Sequence, residues 1–293
     1  MVNPVVVGVD GSPSSLAAVE VAAREAALRG TELRLVHAFG GPSVHLPPHV
    51  RPWSPATAGL RELVDGTLAE AERRARGAAP RVGITRDVTV GEPVVVLEIE
   101  SRTASLVVVG SRGLSGFGSL LLGSTGVHLA AHARCPVLVV RGRPDPAGPV
   151  LLAADGSPAG QAAVAFAFTE ASLRGAGLLA LHVWSTRTER AYDGPADPPF
   201  VTYDEGHLRH EEEQMLAEAL AGHRERHPDV AVESRLVRGR VRAALIDASG
   251  GAQLVVAGAR GRGGFKGLLL GSVSQALLHH AHCPVAVVRP GPP

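Results

Sequence analysis

The chain has 293 residues, 45% hydrophobic but only 3% aromatic, and 29 Lys and Arg against 28 Asp and Glu leave a formal net charge of +1. That length allows roughly two domains of ordinary size with aliphatic cores, while so balanced a charge excludes a field strong enough to make nucleic acid or an anionic membrane the main partner. Every apolar run is shorter than a membrane span, and the start MVNPVVVGVDGS is a strand and turn rather than a signal peptide, so the expectation is a cytoplasmic protein.

The run Pro4 to Val9 is continuously apolar, as a parallel strand covered on both faces is. Asp10, Gly11, Ser12 and Pro13 end it and cap a helix to about Arg29, which Gly30 stops. A second strand, Leu33 to Ala38, leads into a loop from Phe39 to Ala58 that holds Pro42, Pro47, Pro48, Pro52 and Pro55. Loops of that length are usually disordered or functional. There follow a charged helix from about Leu60 to Arg76, a strand near Arg86 to Val90, a helix from Pro93 to Thr103 and a strand from Leu106 to Val109. A glycine-rich loop, a helix from Thr125 to Ala133 and a last strand, Val137 to Val140, complete the series. Alternating β and α predicts an open parallel sheet with helices on both faces.

After the linker-like RGRPDPAGP (Arg141 to Pro149) the pattern restarts. VLLAADGS (Val150 to Ser157) repeats VVVGVDGS (Val5 to Ser12), LLALHVW repeats LRLVHAF, and HCPVAVVR repeats RCPVLVVR. The chain is one module duplicated, with a first domain at 1–143, a linker at 144–149 and a second domain at 150–293. Cys135 and Cys283 hold the same place in the two copies, each before a Pro, and so are expected as buried core thiols.

The stretch Gly110 to Ser124, GSRGLSGFGSLLLGS, recurs as Gly258 to Ser272, GARGRGGFKGLLLGS, and Gly110, Gly113 and Gly123 match Gly258, Gly261 and Gly271 in spacing. Glycines let a ligand approach main-chain N–H groups that a Cβ would shield. Ser124 and Ser272 stand where a helix N-cap would, and the first-turn N–H groups behind them suit phosphate oxygens. In doubly wound sheets ligands sit beyond the carboxyl ends of the strands, where strand order reverses. Asp10, the loop after His37, Gly91 and the glycine loop all fall at that edge, as do Asp155, the loop after His182, Gly239 and the second glycine loop. Blander roles compete at each position. Asp10 and Asp155 suit helix caps as well as a ligand, His37 and His182 suit packed strand ends, and Arg112, Arg260 and Arg262 suit solvated loop charges as well as phosphate. His128 with His132, and more loosely His207 with Glu211, have metal-like spacing but no third ligand in the sequence.

The paired glycine spacing, the VGVDGS strand end and the terminal RCPV or HCPV strand together resemble the ATP-binding universal stress proteins, in tandem form and over nearly the whole chain. The resemblance implies a flavodoxin-like (Rossmann-like) α/β fold with a doubly wound parallel five-stranded sheet of order 3-2-1-4-5 in each half, and ATP with accompanying Mg²⁺ held non-covalently. It places Asp10 and Asp155 by the ribose and the phosphate-bound Mg²⁺, and the backbone of Ala38 and Val183 at the adenine. The stretches Gly110, Ser111, Arg112, Gly113 and Gly258, Ala259, Arg260, Gly261 would flank the ribose and α-phosphate. Gly123, Ser124, Thr125 and Gly271, Ser272, Val273 would hold the β- and γ-phosphates. Gly8 of the first strand has Ala153 as its counterpart, a methyl group expected to narrow the second site.

Those features imply a nucleotide-dependent stress-response or regulatory module, with a slow ATPase or adenylate-handling enzyme as the alternative. The sequence has no GxxxxGK[ST] loop, no SGGxDS loop and no HxGH pair; Lys266 is the only lysine in either loop, and no general base is identifiable, so no catalytic residue is assigned. The expected partners are an adenine nucleotide in each half and the other half of the same chain, paired through Val137 to Val140 and Val285 to Val288. A homodimer of chains is left open.

Overall fold

The computed structural model describes residues 3–39, 58–113, 123–185, 205–262 and 269–290. The chain divides into two compact units, one of Met1–Arg141 with Val285–Pro293 and the other of Gly142–Pro284. The Pro-rich loop expected from Phe39 to Ala58 falls almost wholly outside the described residues, as do the middles of both glycine loops.

Unit 1 runs β1 (Val5–Gly8), α1 (Pro13–Arg29), β2 (Leu33–Phe39), α2 (Ala58–Ala78), β3 (Ile84–Val90), α3 (Pro93–Glu100), β4 (Leu106–Gly110), α4 (Ser124–His132) and β5 (Val137–Val140). These strands are parallel in the order β3-β2-β1-β4-β5, with Val5 opposite both Leu33 and Leu106, and Gly110 opposite Val140. The central strands are the continuous apolar runs, and Val5, Val6, Val7 and Leu106, Val107, Val108 are wholly buried. β3 carries Arg86 and Asp87 on a half-exposed edge, where charge discourages pairing with another chain.

Unit 2 runs β6 (Val150–Ala154), α5 (Gln161–Arg174), β7 (Leu178–Trp184), α6 (Glu205–Arg226), β8 (Val232–Arg238), α7 (Val241–Ala248), β9 (Leu254–Gly258) and α8 (Ser272–His280). Its parallel order is β8-β7-β6-β9, and Val255 N donates to the Pro284 carbonyl at 2.9 Å as the chain leaves β9's flank. The last strand, β10 (Val285–Val288), belongs to unit 1, where it runs antiparallel to β5 with Val285 opposite Val139. The order 3-2-1-4-5 is complete in unit 1, and the second copy repeats it as β8-β7-β6-β9-β10, its last strand being the one that also forms a ladder with β5. The linker segment is fastened to unit 2. Arg143 N donates to His282 O at 2.8 Å, Gln253 N to Pro149 O at 3.1 Å and Gln253 Nε2 to Gly148 O at 2.7 Å.

Local chemistry explains the helix ends. Ser12, not Asp10, is the N-cap of α1: its hydroxyl accepts from Ser15 N at 3.2 Å, with Pro13 in the first turn. Gly30 (φ 62°) and Gly175 (φ 58°) close α1 and α5 in the left-handed conformation that glycine adopts without a Cβ penalty. Glu25 pairs with Arg29 and Glu170 with Arg174 one turn apart, so each buried carboxylate has a cation. Cys283 is buried. Cys135 is half-buried, and burial pushes its thiol up to about 12, which leaves it inert as a nucleophile.

Candidate functional site

At the carboxyl edge of unit 2 lies a cavity of about 440 Å³, within the size range of small-molecule sites. Its walls include Ala153 and Asp155 from β6 and the turn after it, Val183 from β7, Gly258, Arg260 and Gly261 from the end of β9 and its loop, and Gly271, Ser272 and Val273 at the start of α8. Ala259 lies just behind this lining, buried, with its carbonyl accepting from Gly271 N at 2.7 Å. The second set of sequence candidates, scattered over 121 residues from Ala153 to Val273, thus meets around one space.

The loop and the helix it feeds are arranged for an anion. α8 has Gly271 as N-cap and no side-chain cap, and its first internal bond is Gln275 N to Gly271 O at 3.0 Å. Ser272 is therefore the first helical residue rather than the cap. α4 repeats this with Gly123 as N-cap and Ser124 as first residue, so both serine assignments move by one position. The physical reason is the extended backbone at each glycine (φ −60° and −73°), which turns the chain into the helix one residue before the serine. Among the described residues no side chain caps either helix, which leaves the first-turn amides available to an anion.

Asp155 is held tightly. Its Oδ1 accepts from Ser157 N at 3.0 Å and Ser157 Oγ at 2.9 Å, and its Oδ2 accepts from Arg262 N at 3.1 Å. A Cβ on Gly261 would stand 2.7 Å from that Oδ2, so only glycine lets the loop lie against the carboxylate. His182 is buried, with Nδ1 2.7 Å from Ala154 O and Nε2 2.8 Å from Glu212 Oε2. Glu212 also receives Arg262 Nη1 at 3.0 Å. His182 and Glu212 both line the cavity. Glu212 escaped notice in the sequence because it sits on α6, outside every repeated motif; only its place one turn from Met215, whose Sδ crowds Gly156, brings it to the site.

Unit 1 places the equivalent residues at its own carboxyl edge. Asp10 Oδ1 accepts from Ser12 N at 2.9 Å, and a Cβ on Gly113 would lie 3.0 Å from Asp10 Oδ2. Gly110 ends β4, Ser111 N donates to Val140 O at 3.1 Å, Arg112 N donates to Ser14 Oγ at 3.2 Å, and Gly123 N donates to Ser111 O at 2.9 Å. Ala38 lies on β2 opposite Thr89, and Thr125 is in the first turn of α4. Gly8 is half-buried; a methyl there would meet Leu97 Cδ1 at 2.8 Å, whereas Ala153 is itself part of the unit 2 cavity wall. His37 Nδ1 lies 2.8 Å from Val9 O, as His182 does from Ala154 O.

The remaining histidine candidates do not line the unit 2 cavity. His128 and His132 stack with ring centroids 4.0 Å apart, and His128 Nε2 is 3.0 Å from Glu98 Oε2, which holds that carboxyl below the usual range. His207 faces Glu211 at 3.2 Å on the exposed side of α6. Among the described residues no group of three or more His, Cys, Asp and Glu side chains is placed to hold a metal ion, and no helix is long and apolar enough to cross a membrane.

Comparison with known proteins agrees with this geometry. The model of the universal stress protein family matches residues 1–141 and again 147–289. A universal stress protein of Mycolicibacterium smegmatis is 41% identical over 300 residues, covering 98% of this chain and 97% of the relative, and one of Mycobacterium tuberculosis H37Rv is 39% identical over 292 residues, covering 97% and 96%. A universal stress protein structure from Archaeoglobus fulgidus shares the fold with a TM-score of 0.69 at 22% identity, covering 99% of this chain and all of that one. The chain belongs to the universal stress protein family, with two copies of the family's domain in tandem.

Proposed function

We propose that each half binds an adenine nucleotide, ATP by preference, and that the chain works as a cytoplasmic nucleotide-dependent regulatory module with little turnover. The observation that supports this most is the unit 2 cavity, where a glycine loop, an uncapped helix start and an acidic turn converge on one space of ligand size. Main-chain amides and Arg260 suit the phosphates. Asp10 and Asp155 each offer one carboxylate, the donor count with which Mg²⁺ binds beside substrate phosphates. When bound, the ion would screen phosphate charge; the protein's own part is to orient Asp155 through Ser157 and the Arg262 amide.

The low-turnover part of the proposal rests on how the cavity's bases are engaged. Glu212 is committed to His182 and Arg262, and Asp155 to three donors, so neither is poised to take a proton from a water. With micromolar affinity, millimolar Mg·ATP would stabilise the fold by roughly 4 kcal/mol. Melting curves with and without Mg·ATP, and with ADP, AMP or a cyclic nucleotide in its place, test this. The expected result is a rise of several degrees with ATP and phosphate release no faster than about one event per minute. An unchanged curve with every nucleotide argues against binding, and steady release near one per second favours the slow-ATPase alternative.

A further inference from the structure

Arg262 and Glu212 form a pair that the first half does not have. The position 148 residues before Arg262 is Leu114 and the position 148 residues before Glu212 is Val64, which is buried. The register of that correspondence is fixed by the packing, because Gly11 faces Thr67 as Gly156 faces Met215. Both members of the pair are thus apolar in one copy and charged in the other.

The placement gives the pair a purpose. Arg262 is rooted at the cavity wall by its own amide, which donates to Asp155 Oδ2 at 3.1 Å, and its guanidinium is turned onto Glu212 at 3.0 and 3.4 Å. Glu212 has a second holder in His182, whose ring is locked by Nδ1 against the Ala154 carbonyl. If the guanidinium swings to a phosphate, Glu212 keeps His182 Nε2 at 2.8 Å as a polar neighbour and is itself only partly buried, so the exchange strands no fully buried charge. We propose, resting on the nucleotide assignment above, that Glu212 is an internal competitor for Arg262: its carboxylate stands in for a ligand phosphate and withholds a cation that the first site has no counterpart for. Unit 2 is then restrained toward polyphosphates by a contact that unit 1 lacks.

The test is a double-mutant cycle read by calorimetric titration with Mg·ATP, all in a Gly113→Glu background that silences unit 1. Glu212→Gln is expected to tighten ATP binding about tenfold, the worth of one freed charge-assisted hydrogen bond. Arg262→Gln alone is expected to change affinity by less than about twofold, because Glu212 already occupies it, yet to erase the tenfold gain when combined with Glu212→Gln. Equal effects of Arg262→Gln in the two backgrounds overturn the competitor role. Circular dichroism and the melting curve of each variant establish that it is folded, and Glu212→Asp serves as the conservative variant expected to restore part of the restraint. Absence of ATP binding in every variant sinks the nucleotide assignment together with this proposal, whereas binding without coupling sinks this proposal alone.

Discussion

In unit 1 the glycine loop is tied to the first turn of α1, since the Ser14 hydroxyl accepts from Arg112 N at 3.2 Å, whereas unit 2 has Ala159 at that place and no hydroxyl to offer; in both units the loop lies against the acidic turn, a Cβ on Gly113 or Gly261 standing 3.0 or 2.7 Å from Asp10 or Asp155 Oδ2. The same spaced glycines therefore share the acidic turn and differ in one hydroxyl anchor. The difference runs deeper into the packing. Where α1 presents Ala23 and α2 presents Ala75, both fully buried, α5 presents Phe168 and α6 presents His223, stacked with centroids 5.4 Å apart. A duplicated module has kept its backbone frame and exchanged small residues for larger and more polar ones in its second copy. One lesson is that the glycine spacing preserves a cradle, while the residues around it set how strongly that cradle is charged and how firmly it is held.

The comparison can be broken most forcefully at Phe168. It is wholly buried and touches both His223 and His227, so Phe168→Ala is expected to cost unit 2 about 3–5 kcal/mol. Hydrogen exchange resolved by unit should show protection lost in unit 2 and retained in unit 1; a loss spread evenly over both contradicts separate cores.

A smaller effect should come from pH. Burial, then the charges of Arg226 and His227, hold the His223 imidazole below the usual histidine range. The unfolded chain takes up a proton as pH falls through about 6.5 while the folded unit resists it, so stability drops on acidification, by at most about 1.4 kcal/mol per pH unit. Urea midpoints between pH 7.5 and 5.5 should fall for unit 2, and His223→Leu should flatten that contribution; an unaltered slope in the variant means other groups carry it. Unit 1 has Ala75 at this place and no such contribution there.

The smallest effect is expected at Gly8→Ala, which makes unit 1 resemble unit 2. The new methyl meets the far end of Leu97 at 2.8 Å, contact that a flexible side chain can relieve, so the cost should be about 1 kcal/mol or less by chemical denaturation. A loss of several kcal/mol would mean that Leu97 cannot move.

Much of this was legible in the sequence. The unbroken Val and Leu runs announced central parallel strands, and the duplicated glycine spacing located both loops, because backbone needs are written locally. The helix starts were read one residue late, since Ser124 looks like a cap in sequence whereas the extended backbone at Gly123 takes that place. Of the two roles the sequence allows Asp10, cap or ligand group, the cap is provided by Ser12. The packed setting of His182 is one of the readings that the sequence offers, but Glu212 is not legible at all: a charge on a polar helix looks solvated until the fold turns that face toward the strand ends. The pairing of β10 with β5, in contrast, follows from the sequence: two terminal apolar strands need a partner, and the ladder forms with Val285 opposite Val139.

The central claim is that two backbone cradles each hold one nucleotide. Equilibrium binding of radiolabelled ATP to the wild type, to Gly113→Glu, to Gly261→Glu and to the double variant tests it most directly, because each new carboxylate is set against Asp10 or Asp155 in one cradle only. The account predicts two nucleotides per chain, one in each single variant and none in the double. Binding that persists undiminished in the folded double variant would contradict it.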